Sequence, residues 1–597
     1  MKKFFTLVGL SAAMTLTAAT PNASFAWALG GGGATADFTY DVATDGSGNI
    51  FMANSFTNTA TFNGVQLTGS AKGSGANFDN SLYVCKLSPA KENLWKLYSN
   101  EGAVTPAALV TTANGDLIVA GSIRAVKGGA TTSANLIDAA GTITTFTNLG
   151  NAAVYDQSFV AKFNSAGILQ WVKELNSSAT KDTTVETAAL ATDASGNVYL
   201  TGTFAKGLSL PAATPLTATS TNTSQAAFIA KLDGKTGDAV WLKTTSGGIK
   251  SEVFPALTVG DDGALYVAGD VANAAAPVAV TIGDKSFTPS QIADLVLIKL
   301  NTDGNVAYVQ ERPNLSTTAG KDVRVKDIVV KNGKAFVCGS VYASFGGIQF
   351  TGNTLTSTST YLNGFTAAFN TSDGSDVWQK AVLAPAIAEV SGAVIGKDGN
   401  LFVCGYHYNA LGTAVAAGPV NFGDTTLVDV TNKFGDLFLA SYDPATGKTK
   451  EVHSAGKGAG SELSFALAGY DDKVYVAART NSKPLTFEDN TTTYSTAGVF
   501  DFVLVCYKDT VPKPSAIHDQ KSVPAYAFYN KASQTVVIAN GKNIVSVAIY
   551  DMTGRLVETV KTVGSSEFSV RGIKSGIYMV RATTSNDQKN VFKLAVN

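Results

Sequence analysis

The amino-acid sequence predicts an all-β protein, a seven-bladed β-propeller followed by a small C-terminal Ig-like β-sandwich. Three observations lead to this fold class. The 597 residues include 58 glycines but only 16 prolines, and 15 % of them are charged, which is typical of short strands joined by tight turns. One hairpin pattern recurs seven times, and it gives way to a different pattern after Pro514. No stretch of useful length shows helical periodicity.

Residues 1–26 have the pattern of a signal peptide. Two lysines precede an apolar stretch, and Ser24-Phe25-Ala26 gives the small-x-small pattern of a cleavage site. We therefore predict cleavage between Ala26 and Trp27. A membrane anchor is the alternative, but Ser and Thr dilute the apolar stretch and no stop-transfer charges follow it. The sequence predicts no transmembrane segment in the mature chain.

The recurring pattern is a β-hairpin, in which two short apolar strands flank a turn rich in Gly, Asp and Asn. Turns such as Asp-Gly and Asn-Gly supply the positive φ angles that short hairpin loops need. A glycine usually closes the second strand, and its position defines seven copies spaced 66 to 81 residues apart. This position is occupied by Asn54, Gly121, Gly202, Gly269, Gly339, Gly405 and Ala478.

Most copies continue with a second hairpin, and in four of them its last strand carries a tryptophan. These residues are Trp95, Trp171, Trp241 and Trp378. Two hairpins make a four-stranded sheet, and seven such sheets bury both of their faces when they pack radially around one axis. The predicted propeller spans residues 27–508.

The seventh copy lacks a fourth strand before the proline-containing linker that follows it. Trp27 lies 21 residues before the turn glycine Gly48, which is also the spacing between Trp378 and Gly399. We therefore predict that residues 27–31 form the outer strand of the last blade and close the ring. The alternative is a mature N-terminus without fixed structure.

The segment between the second and third strands varies in length from copy to copy. We predict that these inserts project from one face, and that the longest, residues 123–157 and 410–434, hold ligand contacts. The repeated phrases resemble bacterial β-propeller repeats, which read D-x-x-G-N-V-Y-V-x-G followed by D-x-F-V-A-K-L-D and a Trp. The resemblance covers residues 38–508 and implies a fold but no particular activity.

Residues 524–597 alternate short strands with Gly- and Ser-containing turns, which indicates a small β-sandwich. They closely resemble the type A C-terminal sorting domain of the type IX secretion system of Bacteroidetes. The residues that carry the resemblance are Tyr550, Asp551, Gly554, Arg555, Gly576, Tyr578 and Lys593. Where that family often has Pro-Asn-Pro, this sequence reads Phe528-Tyr529-Asn530-Lys531. An ordinary β-sandwich binding module is the alternative.

The resemblance implies a route across the cell envelope. The leader takes the chain across the inner membrane, and the type IX machinery recognises residues 524–597 and takes it across the outer membrane. The domain is then removed, with the linker 509–523 as the cut region, and the passenger is released or attached to lipopolysaccharide. The implied location is secreted or at the outer cell surface.

The sequence contains no recognisable catalytic, metal or cofactor site. The histidines are His407, His453 and His518. This set is too small and scattered for a multi-histidine metal site, and no serine-hydrolase, zinc-protease or phosphate-loop motif occurs. Many Asp residues fall in hairpin turns, where their side chains bond to backbone amides. Asp322, Asp327 and Glu389 lie outside turns, but no spacing ties them together.

The four cysteines are predicted to be buried free thiols. They are Cys85, Cys338, Cys404 and Cys506. Cys338 and Cys404 occupy the same position in consecutive copies, and equivalent points on neighbouring sheets lie about 10 Å apart. This exceeds the roughly 7 Å that a disulfide allows between Cα atoms.

A net charge of −1 gives no basic face for nucleic acid. We therefore expect a protein that is not an enzyme but a binding module for an unknown glycan or protein at the cell surface. Four loop aromatics are candidates for stacking on sugars: Tyr155, Tyr361, Tyr406 and Tyr408. The alternatives are a polysaccharide-active hydrolase or lyase with an unrecognised carboxylate pair, and a structural component of the envelope.

Overall fold

The computed structural model of the chain is all-β and divides into two compact units, Met1–Val511 and Pro512–Asn597. It describes residues 25–70, 80–124, 133–147, 157–176, 184–220, 225–247, 249–273, 278–356, 361–408, 418–427, 435–456, 460–482, 484–487, 492–494, 496, 498–508, 526–531, 533–539, 544–561, 567–570, 572–585 and 589–596. Most of the predicted leader and the whole predicted linker lie outside these ranges. No helix among the described residues is long and apolar enough to cross a membrane.

The first half of the first unit consists of short strands with few connecting residues. In chain order they are β1 (Phe25–Gly32), β2 (Phe38–Thr44), β3 (Ile50–Phe56), β4 (Thr59–Phe62), β5 (Val65–Thr68), β6 (Ser81–Leu87), β7 (Asn93–Tyr98), β8 (Ala103–Thr111), β9 (Leu117–Arg124), β10 (Ala134–Ile137), β11 (Ile143–Phe146), β12 (Gln157–Phe163), β13 (Leu169–Leu175), β14 (Val185–Thr192), β15 (Val198–Phe204), β16 (Gly207–Leu210), β17 (Leu216–Thr219), β18 (Ala226–Leu232) and β19 (Ala239–Ser246).

The second half continues in the same way, with one short 3-10 turn at Ala343–Phe345. Its strands are β20 (Ile249–Val259), β21 (Leu265–Asn273), β22 (Val280–Ile282), β23 (Lys285–Phe287), β24 (Asp294–Leu300), β25 (Val306–Arg312), β26 (Arg324–Lys331), β27 (Lys334–Val341), β28 (Ile348–Phe350), β29 (Asn353–Leu355), β30 (Asn363–Asn370), β31 (Asp376–Val382), β32 (Ile387–Ile395), β33 (Leu401–Tyr408), β34 (Val420–Asn421), β35 (Thr426–Leu427), β36 (Gly435–Tyr442), β37 (Thr449–Ala455), β38 (Glu462–Tyr470), β39 (Lys473–Thr480), β40 (Leu485–Thr486), β41 (Thr492–Tyr494) and β42 (Asp501–Lys508).

Seven antiparallel sheets in the described part of this unit share one topology, in which four strands lie side by side in the order in which they are used. We number them sheet 1 (β2-β3-β6-β7), sheet 2 (β8-β9-β12-β13), sheet 3 (β14-β15-β18-β19), sheet 4 (β20-β21-β24-β25), sheet 5 (β26-β27-β30-β31), sheet 6 (β32-β33-β36-β37) and sheet 7 (β38-β39-β42-β1). Each sheet contains the two hairpins that the sequence predicts for one copy.

The first strands of the seven sheets form a closed ring. Each packs against the first strand of the next sheet, and β38 of sheet 7 packs against β2 of sheet 1. Threonine hydroxyls connect neighbours: Oγ1 of Thr192 donates to the carbonyl of Thr111 at 3.0 Å, and Oγ1 of Thr111 donates to that of Thr44 at 2.8 Å. Oγ1 of Thr44 in turn donates to Gly469 of sheet 7 at 2.9 Å. Apolar side chains fill each of the seven junctions with a separate buried cluster.

Sheet 7 is built from both ends of the unit. Strand β1 pairs antiparallel with β42, with Leu29 opposite Leu504 and Gly31 opposite Phe502. The predicted outer strand at residues 27–31 is therefore confirmed. The fourth strand of sheet 7 therefore comes from the start of the unit and its other three strands from the end, so this sheet joins the two ends of the ring.

The inserts between the second and third strands do not simply project from a face, so that prediction is wrong for the described hairpins. Each hairpin lies along the outer strand of the preceding sheet: β4 pairs with β1, β10 with β7, and β22 with β19. The other four make single bridges beside the corresponding outer strand, for example Leu383 to Asn421. An exposed sheet edge invites pairing with other chains, and these hairpins cover it. Much of the two longest inserts lies outside the described residues.

The second unit contains two sheets around one apolar core. Its strands are β43 (Tyr526–Asn530), β44 (Thr535–Ala539), β45 (Ile544–Asp551), β46 (Leu556–Lys561), β47 (Glu567–Ser569), β48 (Gly576–Thr584) and β49 (Lys589–Val596). They form the sheets β43-β44-β47 and β46-β45-β48-β49. Ile538 of the first sheet and Val547, Val580 and Leu594 of the second are fully buried in the shared core.

Candidate functional site

A cavity of about 400 Å³ lies where the first strands of all seven sheets converge. Each first strand has a β-bulge at an equivalent place, and a bulge re-aims a side chain relative to the regular pleat. The bulge residues that line the cavity are Tyr40, Ala107, Ala188, Pro255, Lys326, Ser391 and Phe465. The framework therefore repeats seven times, but the side chains that it presents to the cavity do not.

Two carboxylates line this cavity, which we call the channel, and each accepts hydrogen bonds from two backbone amides. Asp41 accepts from the amides of Val42 and Leu109, each at 2.8 Å. Asp327 occupies the equivalent position of sheet 5 and accepts from Ile328 at 2.7 Å and Ala393 at 2.8 Å. Each carboxylate thus joins its sheet to the next one.

Burial raises the pKa of both carboxyl groups, to about 7 for Asp41 and about 6 for Asp327. Hydrogen bonds from the backbone amides act in the opposite direction but do not cancel the effect of burial. Two carboxyls of raised pKa in one cavity are a feature that enzymes also use. Here, however, the visible hydrogen bonds of these groups are structural.

A charged cluster lies beside the channel on sheets 5 and 6. Nζ of Lys326 is 3.2 Å from Oε1 of Glu389, and Oγ of Ser340 is 3.3 Å from Oε2 of the same carboxylate. Tyr406 lies opposite Glu389 in the strand register. Burial and the negative charge of Glu389 raise the pKa of this phenol, so it stays protonated near neutral pH. The structure therefore pairs Glu389 with Lys326, the residue before Asp327, which the sequence did not predict. Asp322 accepts from the amide of Ala293.

A second cluster surrounds Arg479, which follows the closing position of the second strand in sheet 7. Its guanidinium carbon lies 4.7 Å from the ring centre of Phe500, 4.9 Å from that of Phe38 and 5.6 Å from that of Phe465. Phe465 also lines the channel. Sequence reasoning missed this residue, although one signal was available, since Arg479 is the only cation at this position of the seven copies. The equivalent residues of the other copies are Ser55, Ser122, Thr203, Asp270, Ser340 and Tyr406.

The candidate sugar-stacking residues have different surroundings. Tyr406 and Tyr408 form an edge-to-face pair with ring centres 6.0 Å apart, and both are half-buried. Tyr361 is half-buried at a different position, just before β30, and Tyr155 lies outside the described residues. Of the four, the structure brings only Tyr406 and Tyr408 together.

The histidines and cysteines of the first unit are packed into the structure. His407 is fully buried and stacks on Phe438, and His453 contacts the hydroxyl of Tyr507 at 3.0 Å. All four cysteines are buried thiols that form no disulfide, as predicted. Burial raises the pKa of Cys85 and of Cys404 to about 12, which makes these thiols poor nucleophiles. No group of three or more metal-ligating side chains occurs in the described ranges.

In the second unit, the residues of the predicted sorting motif form a tight turn and the strands beside it. The Asp551 carboxylate accepts from the amides of Thr553 and Arg555 and from Nε of Arg555 at 3.0 Å. A hydrogen bond from the Thr553 hydroxyl at 2.6 Å, together with these bonds, lowers the pKa of Asp551 to about 2. Gly554 adopts φ +86°, which favours glycine.

The other motif residues lie on the adjacent sheet. Tyr550 lies under the guanidinium of Arg581, 5.2 Å from its carbon, and the Tyr578 hydroxyl donates to the carbonyl of Lys574. Gly576 starts β48, and Lys593 of β49 pairs with Met579. The predicted cleavage residues lie in β1 of the first unit, where Ala26 is exposed and Trp27 is half-buried.

Comparison with protein-family models identifies residues 528–597 as a secretion system C-terminal sorting domain. No curated protein matches the chain. The domain indicates secretion by the type IX system and attachment at the cell surface, and it implies contact with the type IX machinery.

Several solved structures show a distant similarity. The sialidase of Trypanosoma rangeli has 11 % identity and a TM-score of 0.33, with 85 % of this chain and 86 % of that one covered. The quinohemoprotein alcohol dehydrogenase of Comamonas testosteroni has 9 % identity and a TM-score of 0.32, with 84 % and 80 % covered. Drosophila Semaphorin 2a has 9 % identity and a TM-score of 0.23, with 94 % and 98 % covered. Similarities this low assign no activity to the chain.

Proposed function

We propose that this chain is a seven-bladed β-propeller with an Ig-like sorting domain, and that at the cell surface the propeller is a non-catalytic module that binds glycans. The closed ring of first strands and the seven separate junction cores support the propeller. Two sheets around one core support the Ig-like domain. The observation that carries the binding role is the channel wall, where a repeating framework presents a set of side chains that does not repeat.

A repeated side chain is explained by the needs of the fold, because every sheet has the same neighbours to pack against. The bulge residues have no such explanation, since Ala107 and Ala188 occupy the position that holds Tyr40, Lys326 or Phe465 in other sheets. Binding sites combine partly exposed aromatic rings with a few charged groups. The neighbouring side chains Tyr406, Tyr408 and Arg479 have this composition, since the two tyrosines contact each other and act electrostatically on the guanidinium.

The bonding of the channel carboxylates supports a non-catalytic role. A glycoside hydrolase needs one carboxyl group as acid and another as base or nucleophile. Asp41 and Asp327 each have both oxygens engaged by backbone amides of the inner strands. Their hydrogen bonds connect sheets to one another and are needed whether or not a ligand is present.

The test is a glycan-array experiment with the purified full chain, with and without calcium. We expect saturable binding to a defined group of glycans. Product analysis on the bound glycan, by mass spectrometry, separates binding from turnover. Conversion of the glycan would replace this proposal by the polysaccharide-active enzyme, and absence of binding across the array would refute the glycan and direct the search to protein partners.

The export route has its own test. A chain that ends at residue 527 lacks the segment matched by the sorting-domain model. We expect it to accumulate inside the outer membrane, whereas the intact chain reaches the surface. Protease treatment of whole cells followed by immunoblotting measures the surface fraction. Equal surface fractions for the two chains would contradict sorting by this domain.

A further inference from the structure

We propose that Arg479 anchors a site beside the channel for an acidic glycan, whose carboxylate or sulfate group pairs with the guanidinium. This inference rests on the proposed glycan-binding function and specifies the chemistry of its ligand. It follows from three features of the residue: its place in the ring, its lack of a counter-ion and the rings around it.

Arg479 is anomalous in its position. It is the residue after the closing position of the second strand, where no other copy has a cation. Strand β39 holds it between sheets 7 and 1, since Phe465 belongs to sheet 7 and Phe38 to sheet 1. The side chain is half-buried rather than extended into solvent.

Within the described part of the chain, the Arg479 guanidinium forms no ion pair and donates no hydrogen bond, and its Nε atom is buried without an acceptor. Arg312 gives the contrast: its Nε donates to Asp376 at 2.7 Å, and its other nitrogens donate to the carbonyls of Glu311 and Gly374. Arg312 is a structural arginine with its donors satisfied. Burying a charge without such partners is costly, and burial lowers the pKa of Arg479.

The surroundings of Arg479 are aromatic. Phe38, Phe465 and Phe500 approach the guanidinium, and each of these rings is only half-buried. The ionisable groups that influence Arg479 are phenols, those of Tyr40, Tyr406 and Tyr408. Phenols are neutral near pH 7, so they place no negative charge opposite the guanidinium, which is stabilised by the three rings alone.

A planar guanidinium with five donors matches the oxygens of a carboxylate or sulfate, and such bonds are strong when both partners are charged. Partly exposed aromatic rings around it offer apolar faces to the carbon-bound hydrogens of a sugar ring. Together these features favour an acidic sugar over a free anion, which would leave the rings uncovered.

The test compares three polymers with the same backbone: dextran, carboxymethyl-dextran and dextran sulfate. The purified full chain is measured on each by surface plasmon resonance. We expect either or both of the anionic polymers to bind about tenfold or more tightly than dextran. Arg479→Gln should remove that preference, and Arg479→Lys should keep part of it because it retains the charge but not the planar fork.

The matched control is Arg581→Gln, because Arg581 is an exposed arginine of β48 in the second unit and its replacement changes the net charge equally. We expect it to retain the preference. If Arg479→Gln does not fold, the unaltered chain can be tested by chemical modification. Phenylglyoxal modifies accessible arginines, and we expect the preferred polymer to protect Arg479 from it, as measured by mass spectrometry.

Equal binding to all three polymers, equal losses in the two Gln variants, or no protection of Arg479 would overturn this site. If such a result accompanies binding on the glycan array, the proposed function stands and only its assignment to Arg479 fails. Absence of binding to the array and to all three polymers overturns both the glycan-binding function and the Arg479 site. An acidic peptide measured in the same way is the last comparison: binding to this peptide alone would show that the site takes an anion but that its ligand is not a glycan.

Discussion

The outer wall of the ring, formed by the fourth strands of the sheets, differs from the wall of the channel, formed by the first strands. The outer wall repeats the same side-chain contacts, and the channel wall presents different side chains. On the outer wall, the Trp95, Trp171, Trp241 and Trp378 indoles all donate to a backbone carbonyl in a turn of the next sheet, at 3.0 to 3.4 Å. On sheet 4 the equivalent position holds Tyr308, and Nε2 of Gln310, two residues further on, donates to the backbone carbonyl of Asp373 in the next sheet. The channel wall repeats only its bulges.

This difference shows which residues the fold needs and which it leaves free. Each outer tryptophan also covers a glycine of positive φ in the adjoining turn; Gly237, at φ +73°, lies against Trp171 in this way. This contact has the same geometry at the four junctions that carry a tryptophan, and it requires the same pair of residues at each of them. The bulge residues of the channel have no such common partner, so their identity is available for binding. Changes to the outer wall should therefore affect stability most, and changes to the channel should affect pH dependence and ligand choice.

Removal of β1, the strand that completes sheet 7, should have the largest effect on stability. Deletion of residues 27–32 removes the strand that pairs with β42 and exposes the core between sheets 7 and 1. We expect the chain to lose cooperative thermal unfolding, because the loss exceeds the roughly 5–15 kcal/mol by which proteins are usually stable. Circular dichroism during heating measures it.

A synthetic peptide of residues 25–35 provides the control for this deletion. Added in excess, it should restore a cooperative transition, since β1 is held to sheet 7 by strand pairing and side-chain packing. An unchanged midpoint in the truncated chain would show that β1 is not needed for closure.

The tryptophan contacts test the same wall at one junction. Trp171 is 9 % exposed, and its indole nitrogen donates to Gly234. We expect Trp171→Ala to lower the free energy of unfolding by about 3–5 kcal/mol, the usual cost of removing a buried tryptophan. Trp171→Phe keeps most of the apolar contact but loses the hydrogen bond, and should cost about 1 kcal/mol. Urea unfolding gives both values.

Leu94→Ala is a control on another outer strand, because Leu94 is 48 % exposed and has little packing to lose. Its midpoint should match that of the unaltered chain. A Trp171→Ala variant as stable as this control would mean that the repeated tryptophan has a role other than joining sheets.

The outer wall was largely predictable from the sequence, and the channel was not. Recurrent tryptophans and the spacing of Trp27 sufficed to place β1 on the last sheet, because repetition makes each copy a template for the others. The pairing of inserts with the preceding sheet depends on contacts between copies, which no single copy shows. Glu389, the partner of Lys326, and Phe38, one of the rings around Arg479, each lie on a neighbouring sheet, so these contacts became visible only when the ring brought the sheets together.

The channel carboxylates provide the smallest and most specific effect. The pKa of Asp41 is raised from 3.8 to about 7, and that of Asp327 to about 6. A carboxyl with a raised pKa binds a proton more tightly in the folded state than in the unfolded state. Its stabilising contribution is therefore complete below about pH 3.8 and is lost as the pH rises through 6 to 7. We expect the unfolding midpoint to fall between pH 5 and pH 8.

Asp41→Asn should make that fall shallower, since the amide does not ionise. It should also lower stability at pH 5 by about 1 kcal/mol, because one of the two amide hydrogen bonds to the side chain is lost. Asp193→Asn is the control on a hairpin turn, where hydrogen bonds from Asn197 and Ser195 lower the pKa of Asp193 below 3.8. A group that titrates below pH 3.8 contributes no slope between pH 5 and pH 8. The measurement is the thermal unfolding midpoint of each variant at pH 5 and at pH 8. If the midpoint falls equally between these pH values in Asp41→Asn and Asp193→Asn, Asp41 does not have the raised pKa that we assign to it.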